Sequence, residues 1–423
     1  MSAADTNRQI EAVYRIESAR LVAGLARMVR DIGLAEELAQ DALIAALEHW
    51  PQGGIPEKPG AWLMATAKRR GIDMIRRRKV FDRQAGELTR QTEERLTASF
   101  ADPDAALDDD IGDELLGLIF AACHPLLSPE ARVALTLRLV AGLTTAEIAR
   151  GFLVPEATIA QRIVRAKRTL GDAGLRFEVP HGTERAERLG SVLEVVYLIF
   201  NEGYSATAGD DWMRPQMSEE ALRLGRILAG LAPEEPEVHG LVALMELQAS
   251  RFAARRGKDG EVVLLADQDR SRWDRLLIRR GLDALDRATA LFANRGPYTL
   301  QAALAACHAR SPSMNSTDWR EIVGLYDELY ALSPSPVVAL NRAVALGMAE
   351  GPAAALPLVE QLAAAGTLDG YHLLPSVRAD LLARLGRHDE ARAEFEHAAA
   401  LTQNRREREI LLARAEAEAA AIS

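Results

Sequence analysis

Seven cations fall within twelve positions of one stretch: Lys68, Arg69, Arg70, Arg76, Arg77, Arg78 and Lys79. Like charges at that density repel one another unless phosphates neutralise them, so the stretch suits a nucleic-acid backbone. Trp62, Leu63, Thr66, Ile72 and Ile75 supply an apolar side to the same segment. An aromatic ring beside a cationic track suits the unstacked bases of single-stranded DNA, although Trp62 serves equally as a core residue. A second candidate set, Thr158, Gln161, Arg162, Arg165 and Arg168, lies within residues 143–170. Guanidinium groups there can contact phosphates or fork onto guanine O6 and N7, and the amide and hydroxyl can reach base edges. The competing reading is a solvated basic face. A third set, Glu36, Glu37, Gln40, Asp41, Ile44 and Glu48, combines acids and an amide with one exposed apolar side chain. Such a face fits a basic protein partner, or simply water.

Each set needs an element to position it. Over residues 31–51 the apolar residues Ala35, Leu38, Ala39, Ala42, Ala46, Leu47 and Trp50 recur at helical spacing, which puts the acid-amide set on the opposite face. Residues 143–170 read as helix-turn-helix. Thr144 or Thr145 can cap a short helix whose apolar side is Ile148 and Ala149, a turn follows at 151–154, and Pro155 stands where a second helix starts. In that second helix Ile159, Ile163, Ala166 and Leu170 face a core, leaving the candidate contacts outside.

The apolar residues of the whole chain recur at three- and four-residue spacing, so the fold class is all-α. A helical unit spans 1–95 and ends in the basic run; 96–114 is an acidic linker with Asp102, Asp104, Asp108, Asp109, Asp110, Asp113 and Glu114; a second compact unit spans 115–178; a long helical array runs from 185 to 423. Within the array, Gly351 and Gly386 each precede a small-residue helix, a separation near the period of tetratricopeptide hairpins.

With 423 residues, 48% hydrophobic, the chain is long enough for two or three domains and is not largely disordered. It contains no run of about 20 apolar residues, and the start of the sequence has no export-signal pattern, which places it in the cytoplasm. Cys123 and Cys307 are isolated, as expected in a reducing compartment. The net charge of −10 argues against DNA only as an average, because acids gather in the linker and cations at 68–79 and 162–168.

Taken in order, the three segments resemble bacterial RNA polymerase sigma factors of the extracytoplasmic-function group. The helix with Glu37, Leu38, Gln40, Asp41 and Ile44 is similar to the part of region 2 that docks on the β′ clamp helices. The stretch AWLMATAKRRGIDMIRRRK, with Trp62, Leu63, Ala67, Ile72, Asp73 and Arg76 at the family's positions, is similar to the part that opens and reads the −10 element; Arg69 stands where asparagine is usual. Residues 143–170, with Glu147, Ile148, Ala149, Pro155, Glu156, Thr158, Arg162, Arg165 and Ala166 matching and Thr145 at the short helix's start, resemble the reader of the −35 element; Leu153 stands where glycine often turns the chain. The resemblance implies core polymerase, through its β′ clamp and β flap, and promoter DNA as partners, with no cofactor and no catalysis. LIFNEGYSA (198–206), QDRSRWDRLLIRRG (268–281) and GPYTLQAALAACHA (296–309) look like the tail of the subgroup usually called ECF42, in which the tail modulates activity in place of a separate anti-sigma factor. The alternative is a free-standing helix-turn-helix regulator with a sensing tail; a repeat scaffold with incidental basic helices is a third reading.

Other residues have plainer readings. His124, His239, His308 and His372 are isolated and read as core or surface side chains rather than metal ligands. Asn201, Glu202, Tyr204, Asp210, Asp211 and Trp212 read as a loop docked between helices. Asp267, Asp269, Arg270, Arg272, Trp273, Asp274 and Arg275 read as an intramolecular ion-pair network.

Overall fold

Helices account for nearly all regular structure in a computed structural model that describes residues 3–82, 109–152, 154–175, 177–204, 213–257, 263–292, 294–402 and 405–422. Side chains 75–82 and 109–112 also lie outside the description. The all-α expectation is therefore met. Two compact units form, residues 1–198 and 199–423.

The first unit holds α1 (Ala3–Val29), α2 (Ile32–Gly53), α3 (Pro59–Asp82), α4 (Asp109–Ala122), α5 (Pro129–Leu139), α6 (Thr145–Phe152), α7 (Glu156–Asp172) and most of α8 (Gly182–Tyr204). Helix α1 packs on α2, α3 and α4, and Leu21, Leu25 and Ala26 of α1 are buried there with Leu38, Ala39 and Ala42 of α2 and Leu63 and Ala67 of α3. Asp31 caps α2 by accepting from the Leu34 N–H at 2.9 Å. Residues 96–108 of the expected acidic linker lie outside the described residues, and from Asp109 the chain is already helical.

Helix α8 belongs largely to this unit, although the composition shift placed the tail's start at 185. Arg132 of α5 donates to the Ser191 hydroxyl and to the Glu194 carboxylate at 3.0 Å, and Ser191 in turn donates to the Cys123 carbonyl at 2.6 Å. Arg188 donates to the Phe120 carbonyl at 3.1 Å. A charged group that is nearly buried must be hydrogen-bonded to stay in the fold, and α8 supplies those bonds. The chain approaching α8 also crosses α4 closely: a Cβ on Gly117 would lie 2.9 Å from the Phe177 carbonyl oxygen, so only glycine fits.

In the second unit follow α9 (Pro215–Leu231), α10 (Pro236–Ala249), two short 3-10 turns, α11 (Arg275–Leu291), α12 (Pro297–Arg310), α13 (Trp319–Leu332), α14 (Pro336–Ala349), α15 (Pro352–Ala364), α16 (Leu373–Arg384), α17 (His388–Leu401) and α18 (Arg405–Ile422). Proline opens α9, α10, α12, α14 and α15, where its missing N–H costs nothing. Helix α10 is buried almost all round, packed by α9, α11 and α12. From α13 onward each helix packs on the next, and α14 also meets α16. Gly351 and Gly386 both adopt left-handed backbone, φ 98° and 77°, at the matching turns before α15 and α17.

The segment expected to carry an ion-pair network is instead a capping and hydrogen-bonding hub. Arg270 is buried and donates to the carbonyls of His308 and Ser311, each at 2.7 Å, while Asp269 and Asp274 cap the second 3-10 turn and α11. Trp273 is buried with the guanidinium groups of Arg270 and Arg251 at 5.1 and 5.5 Å from its ring. Backbone carbonyls satisfy a buried guanidinium without requiring a second buried charge, which is why they replace the carboxylates. Glu202 and Arg214 form a nearly buried ion pair, as a loop docked between helices requires; Asp210, Asp211 and Trp212 lie outside the described residues.

Candidate nucleic-acid interface

The turn before α6 is a capping box. Thr144 Oγ1 accepts from the Glu147 N–H at 3.1 Å, and the Glu147 carboxylate accepts from the Thr144 N–H at 2.8 Å, so Thr144 rather than Thr145 is the cap. Thr145 donates its hydroxyl to Glu156 at 2.9 Å, which joins the starts of α6 and α7. Leu153, in the turn, lies outside the described residues. Helix α7 buries Ile159, Ile163, Ala166 and Leu170, the four residues the periodicity selects. Gln161, Arg165 and Arg168 are exposed, Thr158 and Arg162 half-buried. Three guanidinium groups on successive turns thus leave the core on one face, with Arg168 paired only to Asp172 at 3.6 Å in full solvent. That pair is too exposed to hold Arg168 against a phosphate.

Helix α3 is anchored by Leu63 and Ala67, both buried, and by Thr66 donating to the Trp62 carbonyl at 2.9 Å. Trp62 itself is half-buried: its ring stands edge-on to buried Trp50 at 5.2 Å and near His49 at 6.3 Å. It therefore combines packing with a remaining open surface. Lys68 is half-buried; Arg69 and Asp73 are exposed. Arg70 reaches Asp41 of α2 at 3.3 Å, which ties a cation of one set to an acid of another. Arg76, Arg77, Arg78 and Lys79 continue along the helix, with side chains outside the described residues.

On α2, Glu37, Gln40 and Ile44 are exposed, Ile44 at 50%, and Asp41 is half-exposed. Leu38 departs from the expected contact set. It is wholly buried among α1 and α3, because its position on the turn coincides with the Ala35–Ala42 stripe, and it supports the face without belonging to it.

One cluster has no signal in the sequence. Glu36 of α2 receives Arg138 of α5 at 3.3 Å and Lys167 of α7, whose carboxylate side chain is only 12% exposed. The Tyr14 phenol nearby is pushed up to about 12, chiefly by burial and then by the Glu36 charge. Helix α2 and helix α7 thus meet through an ion pair that residue types far apart in the chain could not have announced.

Three family profiles match the chain: sigma-70 region 2 over residues 14–80, sigma-70 region 4 over residues 118–170, and a family of unknown function, DUF6596, over residues 188–289. A protein of Rhizobium meliloti (strain 1021) called "Uncharacterized protein R00370" is 45% identical over 90% of this chain and 89% of its own length. "Probable ECF RNA polymerase sigma factor SigI" of Mycobacterium tuberculosis is 28% identical over 42% of this chain, which spans 59% of that relative. "ECF RNA polymerase sigma factor SigK" of Mycobacterium sp. (strain KMS) is 29% identical over 36% of this chain and 76% of its own length. The two sigma-70 matches fall on the helices whose faces carry the candidate contacts, and the chain belongs to the extracytoplasmic-function, sigma-70-like family.

Proposed function

We propose that this sigma factor, which binds core RNA polymerase and directs it to promoters, does so through three named faces. The Glu37, Gln40, Asp41 and Ile44 face of α2 docks on the β′ clamp helices. Trp62 with Lys68, Arg69, Arg70, Asp73, Arg76, Arg77, Arg78 and Lys79 engages the opened −10 strand. Thr158, Gln161, Arg162, Arg165 and Arg168 read the −35 element, and the Thr145–Glu156 pair orients the start of α7. The observation that carries the reading is the cationic, core-free face of α7 on a capped helix-turn-helix. The protein performs no covalent chemistry and works in the cytoplasm; among the described residues no helix is long and apolar enough to cross a membrane.

The second unit, on this proposal, is the modulating tail of the ECF42-like subgroup. The stacked helix pairs α14–α15 and α16–α17, with their matching left-handed glycines, support a tetratricopeptide-like reading of its end.

Run-off transcription with purified core polymerase on promoter templates tests the function. A promoter-dependent transcript is expected. DNA binding by the isolated protein with no transcript above core alone would instead establish the free-standing regulator.

A further inference from the structure

The second unit contains a cavity of about 310 Å³ that neither the promoter contacts nor the polymerase contacts use. It lies between segments remote in sequence: Tyr204 at the end of α8, Arg251 and Arg255 after α10, residues 263–268, the start of α16, and one face of α18. Its volume is at the low end of the range of small-molecule sites.

The lining divides into two chemistries. Val263, Leu264, Leu265, Leu373, Ile410 and Leu411 are apolar, and Leu264 and Leu373 remain 43% and 40% exposed. Against them stand three guanidinium groups, Arg251, Arg255 and Arg414. All three are held in place. Arg255 lies over the Tyr204 ring at 3.6 Å, Arg251 donates to the Gln268 side chain at 3.1 Å, and Arg414 lies over Phe395 at 4.4 Å while pairing with Asp380 at 2.5 Å. The one carboxylate in the lining, Glu407, is taken up by His372 at 3.3 Å and by the Thr402 hydroxyl at 2.8 Å. Asp267 and Asp380 line the adjoining hollow, which shares Arg414. Positive charge therefore exceeds negative around a partly apolar cavity. Burial, with the neighbouring Arg251 charge, holds the Arg255 guanidinium below its ordinary range, so a bound anion would relieve a like-charge pair.

We infer that this cavity binds a small organic anion, with an oxyanion head on the Arg251–Arg255 pair and an apolar body against Leu373, Ile410 and Leu411. Stacked, pre-positioned guanidinium groups offer planar forks for carboxylate or phosphate oxygens at little entropic cost. A head group alone would leave the apolar wall wet, and an uncharged body would leave the cations without a counter-charge. The ligand must therefore carry both. Such a site gives the tail a chemical input of its own.

Isothermal titration calorimetry on the full chain tests this with four probes: octanoate, octyl phosphate, octanamide and inorganic phosphate. Saturable binding of octanoate or octyl phosphate is expected, and the better of the two identifies the head group. Arg255→Gln and, independently, Leu373→Trp, which fills the cavity from its exposed rim, are each expected to weaken that binding by about tenfold or more. Thermal melts and far-UV circular dichroism check folding; where Arg255→Gln does not fold, Leu373→Trp decides. No saturable heat from either amphipathic anion up to about 5 mM overturns the inference, as does equal binding of octanamide, equal binding of inorganic phosphate, or binding unaffected by Leu373→Trp. The readout is heat of binding, so its failure leaves the sigma-factor reading untouched.

Discussion

Arg162, Arg165 and Arg168 project from the same helix, and their surroundings assign them different tasks. Arg165 is exposed near the middle of α7, where a guanidinium can fork onto a base edge. In holoenzyme, Arg165→Ala is expected to lower promoter affinity by about 1–3 kcal/mol and to relax selectivity at one base pair. Arg168, 81% exposed and nearer the helix end, is placed for a phosphate. Its alanine variant should weaken all promoters alike and lower the slope of affinity against log salt by about 1. Fluorescence anisotropy over a salt series separates the two, and an unchanged base preference in Arg165→Ala would remove its readout role. These outward positions were legible in the sequence because helical periodicity alone divides a helix into two faces. Leu38 was misassigned for the same reason in reverse: residue matching put it on a docking face, while the alanine stripe beside it decided its burial. His308 shows what no local pattern reveals. Burial first, then the charges of Arg251 and Arg270, pull its pKa down to about 4. Below about pH 6.5 the unfolded chain takes up a proton that the folded imidazole refuses, so stability falls with pH, by about 2–3 kcal/mol near pH 4.5. Urea unfolding at neutral pH and near pH 4.5 should show that loss, and His308→Gln should flatten it.

At the scale of elements, the helix-turn-helix is a local construction. Its capping box, its Thr145–Glu156 bond and its buried isoleucines all lie within one short stretch, which is why composition and spacing located it. The α2–α7 contact is different. Glu36 and Lys167 meet only because α5 and α7 pack beside α2, and both are less than a third exposed. A double-mutant cycle with Glu36→Gln and Lys167→Met is expected to give a coupling of about 1 kcal/mol or more in chemical unfolding. Additive effects would reduce the pair to a bystander. Gly117 tests the α4 crossing. Gly117→Ala would press a methyl group onto the Phe177 carbonyl, an immobile backbone atom, and should cost about 1–3 kcal/mol without changing the surface.

At the scale of the molecule, α8 decides where one body ends and the next begins. Compositional shifts put the tail's start near 185, yet Ser191, Glu194 and Arg188 complete buried polar groups of the first unit. A chain ending at 180 is therefore expected to be less stable than one ending at 204. The Cys123 thiol reports it: burial pushes its pKa up to about 12, so iodoacetamide near pH 8 should label it in the shorter chain and spare it in the longer. Mass spectrometry of the two products reads the difference. The sequence by itself determined the helical class, the order of the contact-bearing segments and the outward residues of α7, because each depends on spacing within one helix or on residue types a few positions apart. Only the tertiary structure decided the Glu36 cluster, the boundary inside α8, the hub around Arg270 and the cavity between Tyr204 and Arg414. Each of these joins residues that the chain keeps far apart, and which of them meet depends on how whole helices pack.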